Sequence, residues 1–367
     1  MIKVENLEKT YPDGTKAVKR INFEVADGEF CVLLGPSGCG KTTTMKMINR
    51  LIPITSGKVY INGKDTAEMN ENQLRRDIGY AIQNIGLFPH MTVGQNIETV
   101  PQLKNWPKEK RHERAKELLK LMELDPEEFI NKYPDELSGG QAQRIGVARC
   151  LGADPPILLM DEPFGAIDPI TRSRLQDEFL KIQQGIKKTI IFVTHDIYEA
   201  IKMGDKIVLM NQGEIIQHDT PAGILYRPQT EFVEGFVGTD RAVKGLQLVR
   251  VKEVTGGSPS PVKATDSVDI ARERMEEKGI NWVAVADEGD KFLGWAESQH
   301  LENGKIVEEV MSTSDVVISP DVVLNEALSL MLTHGLLALP IIEKKSGKLQ
   351  GIISFDDIRE TLKEAST

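Results

Sequence analysis

Three short segments, FCVLLG (residues 30–35), PILLMDE (156–162) and TIIFVTH (189–195), are apolar almost without interruption. A strand buried on both faces of a parallel sheet must read this way, because it has no solvent side toward which to alternate. Each run ends on residues that carry chemistry: a glycine loop, a pair of carboxylates, a histidine. An open α/β sheet places its ligand beyond the carboxyl ends of its strands, so these three ends are expected side by side. Between the first run and the second, the pattern changes to a helical one. EKRHERAKELLKLMEL (109–124) is charged and amphipathic, and it predicts a helix that opens a helical insertion.

Beyond residue 240 the pattern repeats itself weakly. Val268, Ala271, Met275 and Gly279 match Leu324, Ala327, Met331 and Gly335 after a shift of about 56 residues. In each copy a helix with apolar residues at i, i+3 and i+7 leads into a strand, WVAVAD in one and LALPII in the other. A second strand then carries Gly294 in the first copy and Gly351 in the second. Two βαβ-like units of this size are each too small to be stable alone, so they are expected to pack on one another. TGGSPSP (255–261) reads as a turn-rich loop inside or leading into the first unit.

Composition narrows the function classes. A chain of 367 residues suggests two or three domains, and 40% hydrophobic with 27% charged residues describes a soluble globular protein. A net charge of −10 argues against a nucleic-acid partner, because affinity for a phosphate backbone needs clustered Lys and Arg in excess. Cys31, Cys39 and Cys150 show no CxxC spacing, so neither a disulfide framework nor a zinc site is expected, and a reducing cytoplasm fits. The start, MIKVENLEKTYPDG, turns polar at once and does not read as a signal peptide. With no apolar run of about 18 residues, any membrane crossing is expected from another chain.

GPSGCGKTT (35–43) fits the phosphate-loop pattern G-x-x-x-x-G-K-[ST], with Gly35, Gly40, Lys41 and Thr42 at the fixed places. Gly35, Pro36, Ser37, Gly38, Cys39, Gly40 and Thr43 complete a cradle in which successive backbone N–H groups curl around phosphates. The following helix adds its N-terminal partial charge. Lys41 is expected on the outer phosphates and Thr42 on magnesium. At the second strand end, Asp161 suits the same magnesium, and Glu162 suits the base that orients and deprotonates an attacking water. A helix N-cap pair is the plainer reading of the two acids. His195 is placed by the third strand end, where it would meet the terminal phosphate. Leu87, Phe88 and Pro89 read as an exposed patch for a partner or as a buried loop, and Tyr11 could stack on a base.

One further stretch, LSGGQAQR (137–144), has the glycines and hydroxyl of a phosphate cradle but neither lysine nor carboxylate. It cannot work alone. Taken in order, GPSGCGKTT, the Gln83 loop, LSGGQ, LLMDEP, Asp168 in GAIDP and His195 resemble the nucleotide-binding subunit of an ATP-binding cassette (ABC) transporter over residues 1–240. The details TTMKMINRLI, IGLFPHMTV and MDEPFGAIDPITR look like the ATPase of quaternary-amine osmoprotectant importers for glycine betaine, carnitine or choline. The repeats over 241–308 and 309–367 resemble tandem cystathionine beta-synthase type (CBS) modules.

The resemblance implies an α/β fold: a P-loop ABC ATPase domain with a mixed sheet core and a helical subdomain (about 87–155), then a regulatory CBS pair. It implies a transport ATPase using ATP and Mg2+, with Tyr11 on adenine and Gln83 touching magnesium and sensing the permease. Ser138, Gly139, Gly140, Gln141 and Asp168 would reach the ATP held by a second copy. The implied partners are that second copy in a homodimer, an integral membrane permease and a substrate-binding protein or domain, at the cytoplasmic face of the membrane. The resemblance implies regulation of transport, by ionic strength or by cyclic di-AMP, and in GIISFDDI Ser354 and Asp357 occupy positions that hold a ribose of cyclic di-AMP or an adenine nucleotide. The first copy departs from this pattern, with Glu297 and His300 at the matching places. A soluble ABC protein acting on ribosomes or DNA would carry two cassettes or a long coiled coil, and this chain has one cassette without sustained heptads.

Overall fold

The three apolar runs form the strands Phe30–Leu34, Ile157–Asp161 and Thr189–Thr194, buried at every residue. The computed structural model describes residues 1–82, 86–165, 167–254, 260–343 and 346–364. These fall into two units, Met1–Val237 and Gly238–Thr367. In the first, a six-stranded sheet runs in the order Glu214–Asp219, Lys206–Asn211, Phe30–Leu34, Thr189–Thr194, Ile157–Asp161, Ile78–Ala81. Only Glu214–Asp219 pairs antiparallel, which makes the sheet mixed. Leu34 opposes Thr194 and Asp161 opposes Val193, so the chain leaves all three chemistry-bearing strands at one edge.

Alternation along these strands feeds two separate layers. Cys31, Leu33, Leu159, Ile191 and Val193 point into a core shared with Met45, Met47 and Ile48 of the helix Lys41–Ile48. That core is closed by an antiparallel sheet of order Lys16–Val25, Ile2–Thr10, Ser56–Ile61, Lys64–Asp65. Phe30 and Phe192 point the other way, onto Phe164 and onto Phe179 of the helix Pro169–Ile186, with ring centroids 5.7 to 6.4 Å apart. Burying each ring contributes about 2–3 kcal/mol. The helix that follows Asp168 is thereby fixed to the sheet beneath the site.

The antiparallel sheet was not legible in the sequence. Ile2, Val4 and Leu7 are its inward residues, but irregularities in pairing between Val4 and Leu7, and a positive φ of 46° at Asn6, break the two-residue period. The helical insertion does follow the pattern. It contains Val93–Leu103, begun by a Thr92/Gln95 capping box, then Lys108–Leu121 with Ala115, Leu118 and Leu119 buried, then Gly139–Leu151.

In the second unit the repeat is a structural one. The helices Val268–Lys278 and Leu324–His334 end at Gly279 and Gly335, both left-handed, with φ of 64° and 65°. A glycine ends each helix because an L side chain there would be strained. Each helix leads to a hairpin, Trp282–Ala286 with Phe292–Glu297 and Ala338–Ile342 with Leu349–Ser354. Val262–Lys263 pairs parallel to the first hairpin, and an Ile318 to Ile341 bridge does the same for the second, which gives the βαβ character. Each copy has its own core, and Ala284, Phe292 and Trp295 of the first meet Ala338 and Ile352 of the second in a shared cluster. The copies therefore pack on one another, as their size requires. Most of TGGSPSP lies outside the described residues.

Candidate functional site

Gly35 through Gly40 join the strand Phe30–Leu34 to the helix Lys41–Ile48. Two of the glycines are required here. Gly35 has φ +147° and a Cβ would lie 2.2 Å from the Met210 carbonyl; Gly40 has φ +107° and a Cβ would lie 2.5 Å from that of Ala17. Lys41 is 5% exposed, and its ammonium donates to the carbonyl oxygens of Gly35 (2.7 Å) and Pro36 (2.9 Å). A buried cation satisfied by two carbonyl dipoles and the Cys39 sulfur (3.7 Å), at a helix N-terminus and below a turn of backbone N–H groups, is suited to an anion.

Beside it, the Thr42 hydroxyl donates to Asp161 Oδ1 at 3.0 Å. Asp161 is 2% exposed, and that burial pushes its carboxyl above the usual range; the Thr42 hydrogen bond opposes this and neighbouring Glu162 adds to it. A carboxylate pushed up by burial is least stable when ionised, so at neutral pH a cation on Asp161 would relieve a real cost. Among the described residues no three His, Cys, Asp or Glu side chains form a self-sufficient metal cluster. That suits magnesium, which is held by one or two protein groups together with nucleotide phosphates.

Glu162 has φ +48°, a left-handed conformation that costs a non-glycine residue about 1–2 kcal/mol. It is held there by its N–H to the Val193 carbonyl (3.0 Å), while its own carbonyl accepts from Gly165 N (3.1 Å). The effect is to turn the side chain out of the strand direction. Its Oε1 lies 3.0 Å from His195 Nδ1, leaving Nε2 on a ring that is 62% exposed. The two acids are therefore not an N-cap pair: one meets Thr42 and the other meets His195.

The residues of LSGGQ form the start of a helix. Ser138 is the N-cap, with Gln141 N donating to its Oγ (3.3 Å) and Ser138 N donating to Gln141 Oε1 (2.9 Å). Gly139 and Gly140 open the first turn. A Cβ on Gly139 would meet nothing within 4 Å among the described residues, and its φ needs no glycine. Asp168 likewise caps its helix, accepting from Thr171 N at 3.0 Å, which holds its carboxyl below the usual range. Tyr11 is exposed, with the Lys9 ammonium 5.2 Å from its ring centre. Gln83 lies outside the described residues. Of the patch beside it, Phe88 is exposed, and Asn96 pins its backbone at both N–H (2.8 Å) and C=O (3.2 Å).

Two residues of the site carried no recognised signal. Gln143, 6% exposed, donates from Nε2 to the Glu162 carbonyl at 3.0 Å. Glu199 accepts from the Thr194 hydroxyl (2.6 Å) and from Gln176 (3.0 Å), and that hydroxyl also accepts from Asp196 N (3.0 Å). This closes the turn that carries His195. The spacing from Asp196 to Glu199 reads as a capping box, which would have assigned Glu199 to the helix end instead.

In the second unit, Ser354 Oγ donates to Asp357 Oδ2 at 2.6 Å, and Asp357 N donates back to Ser354 Oγ at 3.2 Å. The pair caps the helix Phe355–Glu364. At the matching place in the first copy, Glu297 accepts from Gln299 Nε2.

Comparison with known proteins agrees with this geometry. A family profile described as ABC transporter matches residues 18–165, and one described as CBS domain matches residues 307–364. The glycine betaine/carnitine/choline transport ATP-binding protein of Bacillus subtilis is 46% identical, covering 96% of this chain and 94% of the relative. The osmoprotectant import ATP-binding protein of Salmonella typhimurium is 44% identical, covering 100% and 97%. Among solved structures, the dimeric ATP-binding cassette MJ0796 in a post-hydrolysis state, bound to ADP and Pi, is similar at a TM-score of 0.57 and 37% identity, over 60% of this chain and 99% of that one. The phosphate loop, the Thr42–Asp161 and Glu162–His195 pairs and these likenesses together place the chain in the family of ABC transporter ATP-binding proteins, as an ATPase that uses ATP and Mg2+.

Proposed function

We propose that this ATPase energises the import of quaternary-amine osmoprotectants such as glycine betaine, carnitine or choline. It would act as a homodimer on the cytoplasmic face of the membrane, docked on an integral permease that is served by a substrate-binding protein or domain. The ATPase part of the reading is carried by the pair of 3.0 Å contacts at one sheet edge, Thr42 with Asp161 and Glu162 with His195. The relatives' printed functions support the solute class, and their likeness runs through both units. Among the described residues no helix is long and apolar enough to cross a membrane, so a separate permease fits. A groove of about 330 Å³ lined by Tyr80, Gly86, Phe88, Thr99 and Arg149 suits the permease contact.

In this reading Lys41 and the N–H groups of Gly35 to Thr43 bind the phosphates, and Thr42, Asp161 and Gln83 hold magnesium. The ion, when bound, neutralises phosphate charge. Glu162 orients the attacking water and takes its proton, His195 contacts the terminal phosphate, and Tyr11 stacks on the adenine. Ser138 to Gln141 and Asp168 complete the site of the partner copy. Uptake of labelled glycine betaine, with and without osmotic upshift, tests the solute class. Cells lacking this gene and other osmoprotectant importers should take up none, and uptake restored by the gene should rise after upshift; unchanged uptake on deletion contradicts the reading.

The paired modules fit regulation of transport, with Ser354 and Asp357 as the ribose-holding candidates for cyclic di-AMP or an adenine nucleotide. Calorimetric titration of the full-length Lys41→Ala chain with cyclic di-AMP should give saturable heat that Asp357→Ala removes. A flat trace with cyclic di-AMP and with AMP would leave the modules a purely architectural role.

A further inference from the structure

The helix Gly139–Leu151 touches two things that belong, on the reading above, to different ATP sites. Its capped N-terminus, Ser138 to Gln141, serves the partner's nucleotide. One and a half turns further on, roughly 7 Å along the axis, Gln143 donates from Nε2 to the backbone carbonyl of Glu162, the base of the chain's own site. Gln143 is buried, as are Ala142, Ile145, Gly146, Val147 and Ala148 around it, so the amide is held in a packed helix and its place follows that of the helix. The carbonyl it holds belongs to a residue with φ +48°, a conformation kept only by its surroundings.

We propose that Gln143 is a positioning residue that links the two ATP sites of the dimer: seating of the helix N-terminus on the partner's ATP sets the backbone, and hence the carboxylate, of Glu162 in the chain's own site. The link rests on the trans role of Ser138. It makes hydrolysis at one site depend on nucleotide at the other. Each chain carries one such helix, so the coupling is reciprocal across the two-fold axis.

The test uses the full chain and MgATP, with Gln143→Leu, which fills the space without a donor, and Gln143→Glu, which keeps the shape but exchanges the amide donor for a carboxyl group. In both, kcat should fall roughly 10- to 100-fold with KM for ATP nearly unchanged, because the base is displaced while the phosphate loop is intact. The Hill coefficient for ATP should fall from about 2 toward 1. A packing role would leave Gln143→Leu close to wild type, and that result overturns the proposal. A loss of kcat with an unchanged Hill coefficient overturns the link between sites. Glu162→Gln is the control: if that variant hydrolyses ATP normally, the reading of Glu162 fails and the proposal falls with it, whereas an inactive Glu162→Gln beside a normal Gln143→Leu refutes the proposal alone.

Discussion

Replacing Glu162 by Gln is expected to cut ATP turnover by about 100- to 10,000-fold while leaving nucleotide binding intact. Glutamine keeps the length and can still pair with His195 Nδ1, now 3.0 Å from Glu162 Oε1, so the geometry survives. What it loses is a basic, negatively charged oxygen. The neighbouring acid responds in the favourable direction: the charge of Glu162 helps to raise the Asp161 carboxyl, and removing it lets that carboxyl ionise more readily. Magnesium and ATP should therefore bind at least as well as before. With closure retained and hydrolysis lost, the ATP-bound dimer should accumulate on a sizing column. Turnover equal to wild type, measured as phosphate release, would remove Glu162 from the role of base.

Much of this site could be read from the chain because its parts are local. A strand, a G-x-x-x-x-G-K-T turn and a helix are consecutive, and the same short-range logic predicts the strand ends at Asp161 and His195. The tandem repeat was legible because its helices keep their apolar spacing and end at Gly279 and Gly335, the left-handed caps observed in both copies. Long-range partners were not legible. Gln143 and Glu199 act through contacts with Glu162 and with Thr194 and Gln176, and a buried amide or a turned-in carboxylate looks in sequence like any polar helix position. The N-terminal sheet was hidden by pairing irregularities that shift its alternation, so Ile2, Val4 and Leu7 fail to keep step. The resemblance to a family supplied what physics could not, namely the expectation that LSGGQ serves another chain.

That expectation concerns the start of the helix Gly139–Leu151, where the hydrogen bonds of Ser138 and Gln141 close on one another. On the proposed arrangement a large cation at Ser138 would fill the space that the partner's phosphates need, whereas Lys41→Ala empties the phosphate loop. Each variant alone should be nearly inactive, since both sites of its homodimer are broken. Mixed together, about half of the dimers combine the two chains, and each of these has one site built from an intact loop and an intact LSGGQ. The most direct measurement is phosphate release from a mixture of Ser138→Arg and Lys41→Ala chains, with heterodimers confirmed by differential tagging. Activity above either variant, yet below the quarter of wild type that independent sites would give in a statistical mixture, because the second site of each heterodimer is empty, is the predicted result. No recovery in confirmed heterodimers would contradict a site shared between two chains.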